Sequence, residues 1–280
     1  VRLQHVAIDG TKMKANASQS KGMSYADIKK WLEEAERIDA EEDKEFGEDK
    51  RGDEFPNAEE AIERFRRAKR ELEEEDKKKK EGREKAEKEG RKPQSKVKRA
   101  AEPSGEARYN FTDSESGLMK SRQGFIQAYN SQVAVDAAHQ VIVACEVSSE
   151  KNDLNELIPL VEKIEKSLGK GPVEVSADAG YCSNENLSTM KEKQIRAYIP
   201  KSERMADRGV VREMTLRLKR AGRRSRYRLR KQVVEPVFGT MKSARNFTQF
   251  LMRGLRNVGT EWALLCSAHN LWKLARVQTA

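Results

Sequence analysis

Three acidic residues stand where chemistry could use them. Asp9 closes an apolar run, LQHVAID, that reads as a short buried strand ending at an Asp-Gly turn. Asp178 stands in VEVSADAGYCS, at the tip of a second alternating run, with Gly180, Tyr181 and a capping Ser183 just beyond it. Glu235 lies in YRLRKQVVEPVFGTMK, on a helix or at its start. Each has an ordinary reading too: Asp9 and Asp178 as turn residues, Glu235 as a solvated helix residue. If the two strands are neighbours, however, the aspartates project side by side, and a helix packed across them adds Glu235. Three crowded carboxylates cannot all stay ionised without a cation. Oxygen ligands of this kind favour Mg²⁺ or Mn²⁺. Two such ions, about 3.5–4 Å apart, can activate a water or hydroxyl and stabilise the leaving oxygen in phosphoryl transfer.

The surroundings of Glu235 fit that chemistry. Pro236 must kink its helix or mark the first turn. Phe238, Gly239 and Lys242 share a helical face with Glu235, and Lys242 could hold a phosphate. From Arg196 to Arg256 there are 18 Lys/Arg against four acids. Such one-sided charge suits sequence-independent contacts to phosphates, whereas a merely solvated face mixes both signs. Arg228, Arg230, Lys231, Lys242 and Arg245 are the candidates for these contacts. Tyr181 is either core packing or part of the site wall, and Tyr227 a supporting neighbour. The net charge of +10 over 280 residues also points to an anionic partner. Asp113, Glu115, Asp136 and Asp153 read as turn or cap residues.

Other chemistries find little support. Three cysteines and three histidines are dispersed, without zinc spacing. Gly169-Lys170-Gly171 follows a helix and lacks the spacing of a phosphate-binding loop. No apolar run is long enough to span a membrane. The odd, scattered cysteines and the lack of a leader pattern imply a reducing cytoplasm.

The elements that must position these residues form an α/β pattern. After the first strand, residues 21–104 are rich in Glu, Lys, Arg and Ala and read as a charged helical arm, with helices around Ile28–Ile38 and Ile62–Leu72 and a linker near Pro93 to Gly105. Order returns with GFIQAYNSQVAVD and QVIVACEVSS, an expected antiparallel hairpin. NDLNELIPLVEKIEKSLG reads as an amphipathic helix capped by Asn152 or Asp153 and stopped by Gly169. The strand before Asp178, a helix from Ser183 and the strand IRAYIP follow. Residues 251–275 fit a buried C-terminal helix. The core is expected in 1–20 and 105–280, as a mixed sheet flanked by helices.

AIDGTKMKANAS, NFTDSESGLMK, GFIQAYNSQVAVD, VSADAGYCS, YRLRKQVVEPVFGTMK and EWALLCSAHNLWKLA together resemble the DDE-type transposases of bacterial insertion sequences. The resemblance implies a ribonuclease-H-like core, an acidic triad on Asp9, Asp178 and Glu235, and Mg²⁺ or Mn²⁺ as cofactor, two ions in all. It implies metal-dependent cleavage at transposon ends followed by strand transfer, double-stranded DNA as partner, and a homodimer in the DNA complex. The implied setting is the nucleoid. Only eight residues precede Asp9, so it also implies a chain without the family's N-terminal region. Lys231 stands where the family has Arg, and Tyr227 is one place off. A nuclease or resolvase that cuts without joining, and a non-catalytic DNA-binding remnant, remain alternatives.

Overall fold

A computed structural model of the chain describes residues 2–46, 56–88, 102–121, 124–203, 205–221 and 226–278. Two compact units emerge, residues 1–17 with 115–280, and residues 18–114. Residues 93–101 of the expected linker lie outside the described residues.

Strand β1 (His5–Lys14) opens the first unit and runs straight through Asp9-Gly10. The expected turn is absent because β5 (Gly124–Asp136) pairs antiparallel with β1 from Val6↔Asp136 to Lys14↔Ala128, so the ladder never breaks. Gly10 is there for space. A Cβ at that position would lie 2.2 Å from Nε2 of Gln132. Gln132 is fully buried and hydrogen-bonded to Asn130 and Asp153, so it cannot swing away cheaply. Gly10→Ala is therefore expected to cost about 1–3 kcal/mol through overpacking. Urea unfolding checks this; a midpoint equal to wild type would show that Gln132 yields.

Residues 18–114 hold β2 (Gly22–Ser24) and β3 (Arg108–Asn110), paired antiparallel, with helices α1 (Tyr25–Phe46) and α2 (Pro56–Lys88) between them. Ser24 caps α1 by accepting from the Asp27 N–H at 3.2 Å. The sparse apolar residues form one stripe. Ile28, Leu32, Ala68 and Leu72 are buried, and Trp31 stacks on Phe65 with ring centroids 3.9 Å apart. Charged pairs such as Arg67–Glu71 (2.8 Å) dress the outer face and contribute little each.

The first unit continues with β4 (Gly117–Ser121), β5, β6 (Val141–Ser148), α3 (Leu157–Leu168), β7 (Glu174–Ser176), α4 (Asn184–Glu192), β8 (Arg196–Tyr198), α5 (Gly209–Ala221), α6 (Arg226–Gly239) and α7 (Leu255–Gln278). The sheet order is β4-β5-β1-β7-β8, with β6 also on β5. β4, β6 and β1 lie antiparallel to β5, whereas β1, β7 and β8 run parallel. It is a mixed α/β sheet. Alternation along β1 sends Val6 and Ile8 into one core with α3, α4 and α5, and Ala7 and Met13 into the other with α6 and α7.

Two helix starts differ from expectation. α3 begins at Leu157, and its N-cap Glu156 makes no side-chain cap bond. Asp153 caps nothing because its carboxylate is committed elsewhere. Gly169 does end the helix, with φ of 69°. α7 begins at Leu255, and Leu251 before it is 79% exposed. His269 and Asn270 do face inward: His269 meets the Gln140 carbonyl at 3.2 Å, and Asn270 bonds both backbone groups of Ile142. Among the described residues no helix is long and apolar enough to cross a membrane.

Candidate active site

Asp9 and Asp178 meet because of register. β1 and β7 pair in parallel, with Ala7 opposite Ser176. Two residues further along stand Asp9, still on β1, and Asp178, just past the end of β7. Neighbouring strands lie about 4.8 Å apart, so the two carboxylates share one edge of the α6 face. β7 ends at Ser176, and Asp178 then caps a 3₁₀ turn (Ala179–Tyr181), accepting from the Gly180 N–H at 2.7 Å.

The electrostatics of Asp9 carry the influence of its neighbours. Burial pushes the Asp9 carboxyl up to about 6; Arg230 opposes the rise and the charge of Asp178 adds to it. Asp9 Oδ1 accepts from the Gly10 N–H at 3.0 Å. Its Oδ2 lies 2.7 Å from Nη1 of Arg230, which is only 6% exposed. Arg230, expected on a DNA-contacting surface, is thus a buried counterion reaching down from α6. Its Nε finds no hydrogen-bond partner among the described residues. The guanidinium also lies 5.9 Å from the ring centre of Tyr227.

α6 keeps its register despite Pro236, which sits well inside the helix and not at its first turn. Proline cannot donate to the carbonyl four residues back. That carbonyl, on Gln232, accepts instead from Nε2 of Gln140 at 3.0 Å. The helix passes into a π-helical turn, Thr240–Ala244. There Lys242 donates to the Thr11 hydroxyl, two residues beyond Asp9 on the same face of β1. Arg245 donates to the Ala268 carbonyl at 3.1 Å. Arg228 and Lys231 are exposed.

Glu235 is exposed on α6. Among the described residues no three carboxylate, histidine or cysteine groups are close enough together to hold a metal ion. So the structure joins Asp9 to Asp178 and leaves Glu235 apart. Asp9 and Asp178 do fit a divalent cation, as paired oxygen donors whose mutual repulsion a cation would relieve. In this structure Arg230 provides that positive charge.

Tyr181 is buried, and its hydroxyl donates to Oε1 of Gln132. Two parts of the site escaped the sequence reading. Arg230 carried no signal that set it apart from its basic neighbours. Asn130, Gln132 and Asp153 did leave a trace: Asn130 and Gln132 are polar residues two apart within an otherwise apolar strand.

Fold and site together define an α/β protein with an aspartate pair on adjoining parallel strands beneath a basic helix. The chain belongs to the transposase family described as Transposase DDE domain, whose family model matches residues 2–271. Its class is therefore that of DNA transposition and recombination. No curated protein matches the chain.

Proposed function

We propose that this chain is the catalytic core of a DDE transposase, cutting DNA at transposon ends and joining the freed 3′ end to a target. The observation that carries the reading is the parallel β1–β7 ladder, which ends at Ala7↔Ser176 and sets Asp9 and Asp178 each two residues further along, with the charge of Asp178 acting on Asp9. The sheet order, with four strands in antiparallel pairing followed by two parallel additions, supports a ribonuclease-H-like core. Asp9 and Asp178 would hold Mg²⁺ or Mn²⁺. Bound there, the metal supplies water activation and charge neutralisation at a phosphate. Glu235 is the third ligand in this reading, and it joins only when α6 or its own side chain moves.

The chain's own groups have distinct tasks. Arg230 neutralises Asp9, and with a divalent cation held by the aspartates it would be available to a phosphate oxygen. Lys242 lies along β1 beside Thr11, where it can hold a phosphate next to the carboxylates. Arg228, Lys231 and Arg245 extend the positive track and read backbone, not bases. Duplex affinity should accordingly fall by about 10³-fold or more between 50 and 200 mM salt if six or more phosphates are neutralised. Competition binding checks this, and a salt-independent affinity would remove the phosphate track.

One observation favours a second reading. Arg230 fills the position beside Asp9 and Glu235 stands apart, as in a DNA-binding remnant without a productive site. Nicking of supercoiled DNA with Mn²⁺ separates the two. Cleavage supports the enzyme; binding without cleavage supports the remnant. A joining assay with transposon-end DNA then tells a transposase from a nuclease that only cuts.

A further inference from the structure

We propose that Asp153 is a positioning residue for the Asp9–Asp178 pair, acting from the opposite face of the sheet. The inference rests on the metal-site reading above. Along β1, Asp9 and Thr11 face α6, so Gly10 and Lys12 face the α3 side. Asp153, in the turn before α3, belongs to that second face. Its Oδ1 accepts from Nε2 of Gln132 at 2.7 Å and Nδ2 of Asn130 at 2.8 Å, and pairs with Nζ of Lys12 at 3.4 Å. Gln132 and Asn130 are fully buried and lie opposite Gly10 and Lys12 in the β1–β5 ladder. Gln132 also receives the hydroxyl of Tyr181, three residues past Asp178. A continuous set of bonds therefore joins Asp153 to both strands that carry the aspartates.

The contact with the two glycines is more direct. Asp153 Oδ1 lies 3.0 Å from where a Gly10 Cβ would stand, and its Oδ2 lies 3.4 Å from the same point on Gly180. Gly10 follows Asp9, and Gly180 donates its N–H to Asp178. One carboxylate thus abuts the backbone beside each aspartate; a side chain at Gly10 would crowd Oδ1, whereas the same point on Gly180 meets Oδ2 at ordinary contact distance and Oδ1 of Asp178 at 2.9 Å. A turn carboxylate has no need of two buried amide donors. A buttress that fixes the separation of two strand segments does, because each bond removes a direction of slip. Its bonds run to Lys12, Asn130 and Gln132, so Asp153 acts on Asp9 and Asp178 through the segments that carry them.

Mn²⁺ titration of the full chain, followed by electron paramagnetic resonance, tests this without any cleavage step. D153A is expected to weaken Mn²⁺ binding about 10–100-fold, the loss typical of removing a supporting partner of a metal ligand. D153N keeps an oxygen that accepts from Gln132 and Asn130, and should restore most of the affinity. D153A at wild-type affinity, whatever its thermal stability, overturns the proposal and leaves the metal-site reading standing. D153N as weak as D153A overturns the hydrogen-bond account. A wild-type chain that takes up no Mn²⁺ overturns both readings. Should D153A fail to fold, D153S keeps a short acceptor in the turn and should lose part of the affinity; wild-type affinity there overturns the proposal too.

Discussion

Asp178→Asn is expected to abolish the proposed Mg²⁺-dependent nicking of supercoiled DNA, by about 10²–10³-fold at least, while duplex affinity stays near wild type. The size follows from the several kcal/mol of charge stabilisation that a metal supplies to a phosphoryl transition state. The selectivity follows from the structure. The amide oxygen of the variant can still accept from the Gly180 N–H, so the 3₁₀ turn and the buried Tyr181 keep their places. The exposed Arg228 and Lys231 on α6 are untouched. Plasmid nicking beside a binding isotherm at fixed salt separates the two effects. Nicking at wild-type rate, in a preparation free of contaminating nuclease, would remove Asp178 from the site.

Arg230→Met destabilises the metal-free protein at pH 8 and has far less effect at pH 5. Asp9 has a folded pKa of about 6, raised from 3.8 by burial. The folded state therefore holds the Asp9 proton more tightly than the unfolded chain does. Its contribution to stability is full below about pH 4 and is lost as pH rises through 6. Above that point Asp9 is ionised, and Arg230 is the cation at 2.7 Å that makes its burial tolerable. Breaking one side of a buried pair costs about 3–5 kcal/mol. The low end applies here, since the Asp9 side chain keeps 22% exposure. At pH 5 Asp9 is largely neutral and loses little when Arg230 goes. Urea unfolding in EDTA at the two pH values reads the difference, and Mn²⁺ at pH 8 should recover part of the loss. Equal losses at both pH values would mean that the arginine acts through packing alone.

Much of this arrangement could be read from residues in order. Strand and helix identities followed from apolar period, and Ser24, Ser183 and Gly169 marked helix ends because capping is a local matter. Asp9 and Asp178 stood out because a carboxylate ending an apolar run is costly without a purpose. The Asp-Gly turn after Asp9 was misread because turn chemistry is local, while the ladder to β5 that overrides it is set more than a hundred residues away. Arg230 looked like one basic residue among many, and only the packing of α6 across β1 singles it out. Asp153 was taken for a cap for the same reason: its partners Lys12, Asn130 and Gln132 are remote in sequence.

The π-helical turn at Thr240–Ala244 has a hereditary side. Such a turn carries one residue more than an α-helix would over the same stretch. In-frame loss of a single codon there would return the segment to α geometry while the residues beyond it kept their place around the helix axis, since the extra residue is absorbed within the turn. Arg230 and Glu235, upstream, would not stir. Lys242, inside the turn, would lose its reach to the Thr11 hydroxyl.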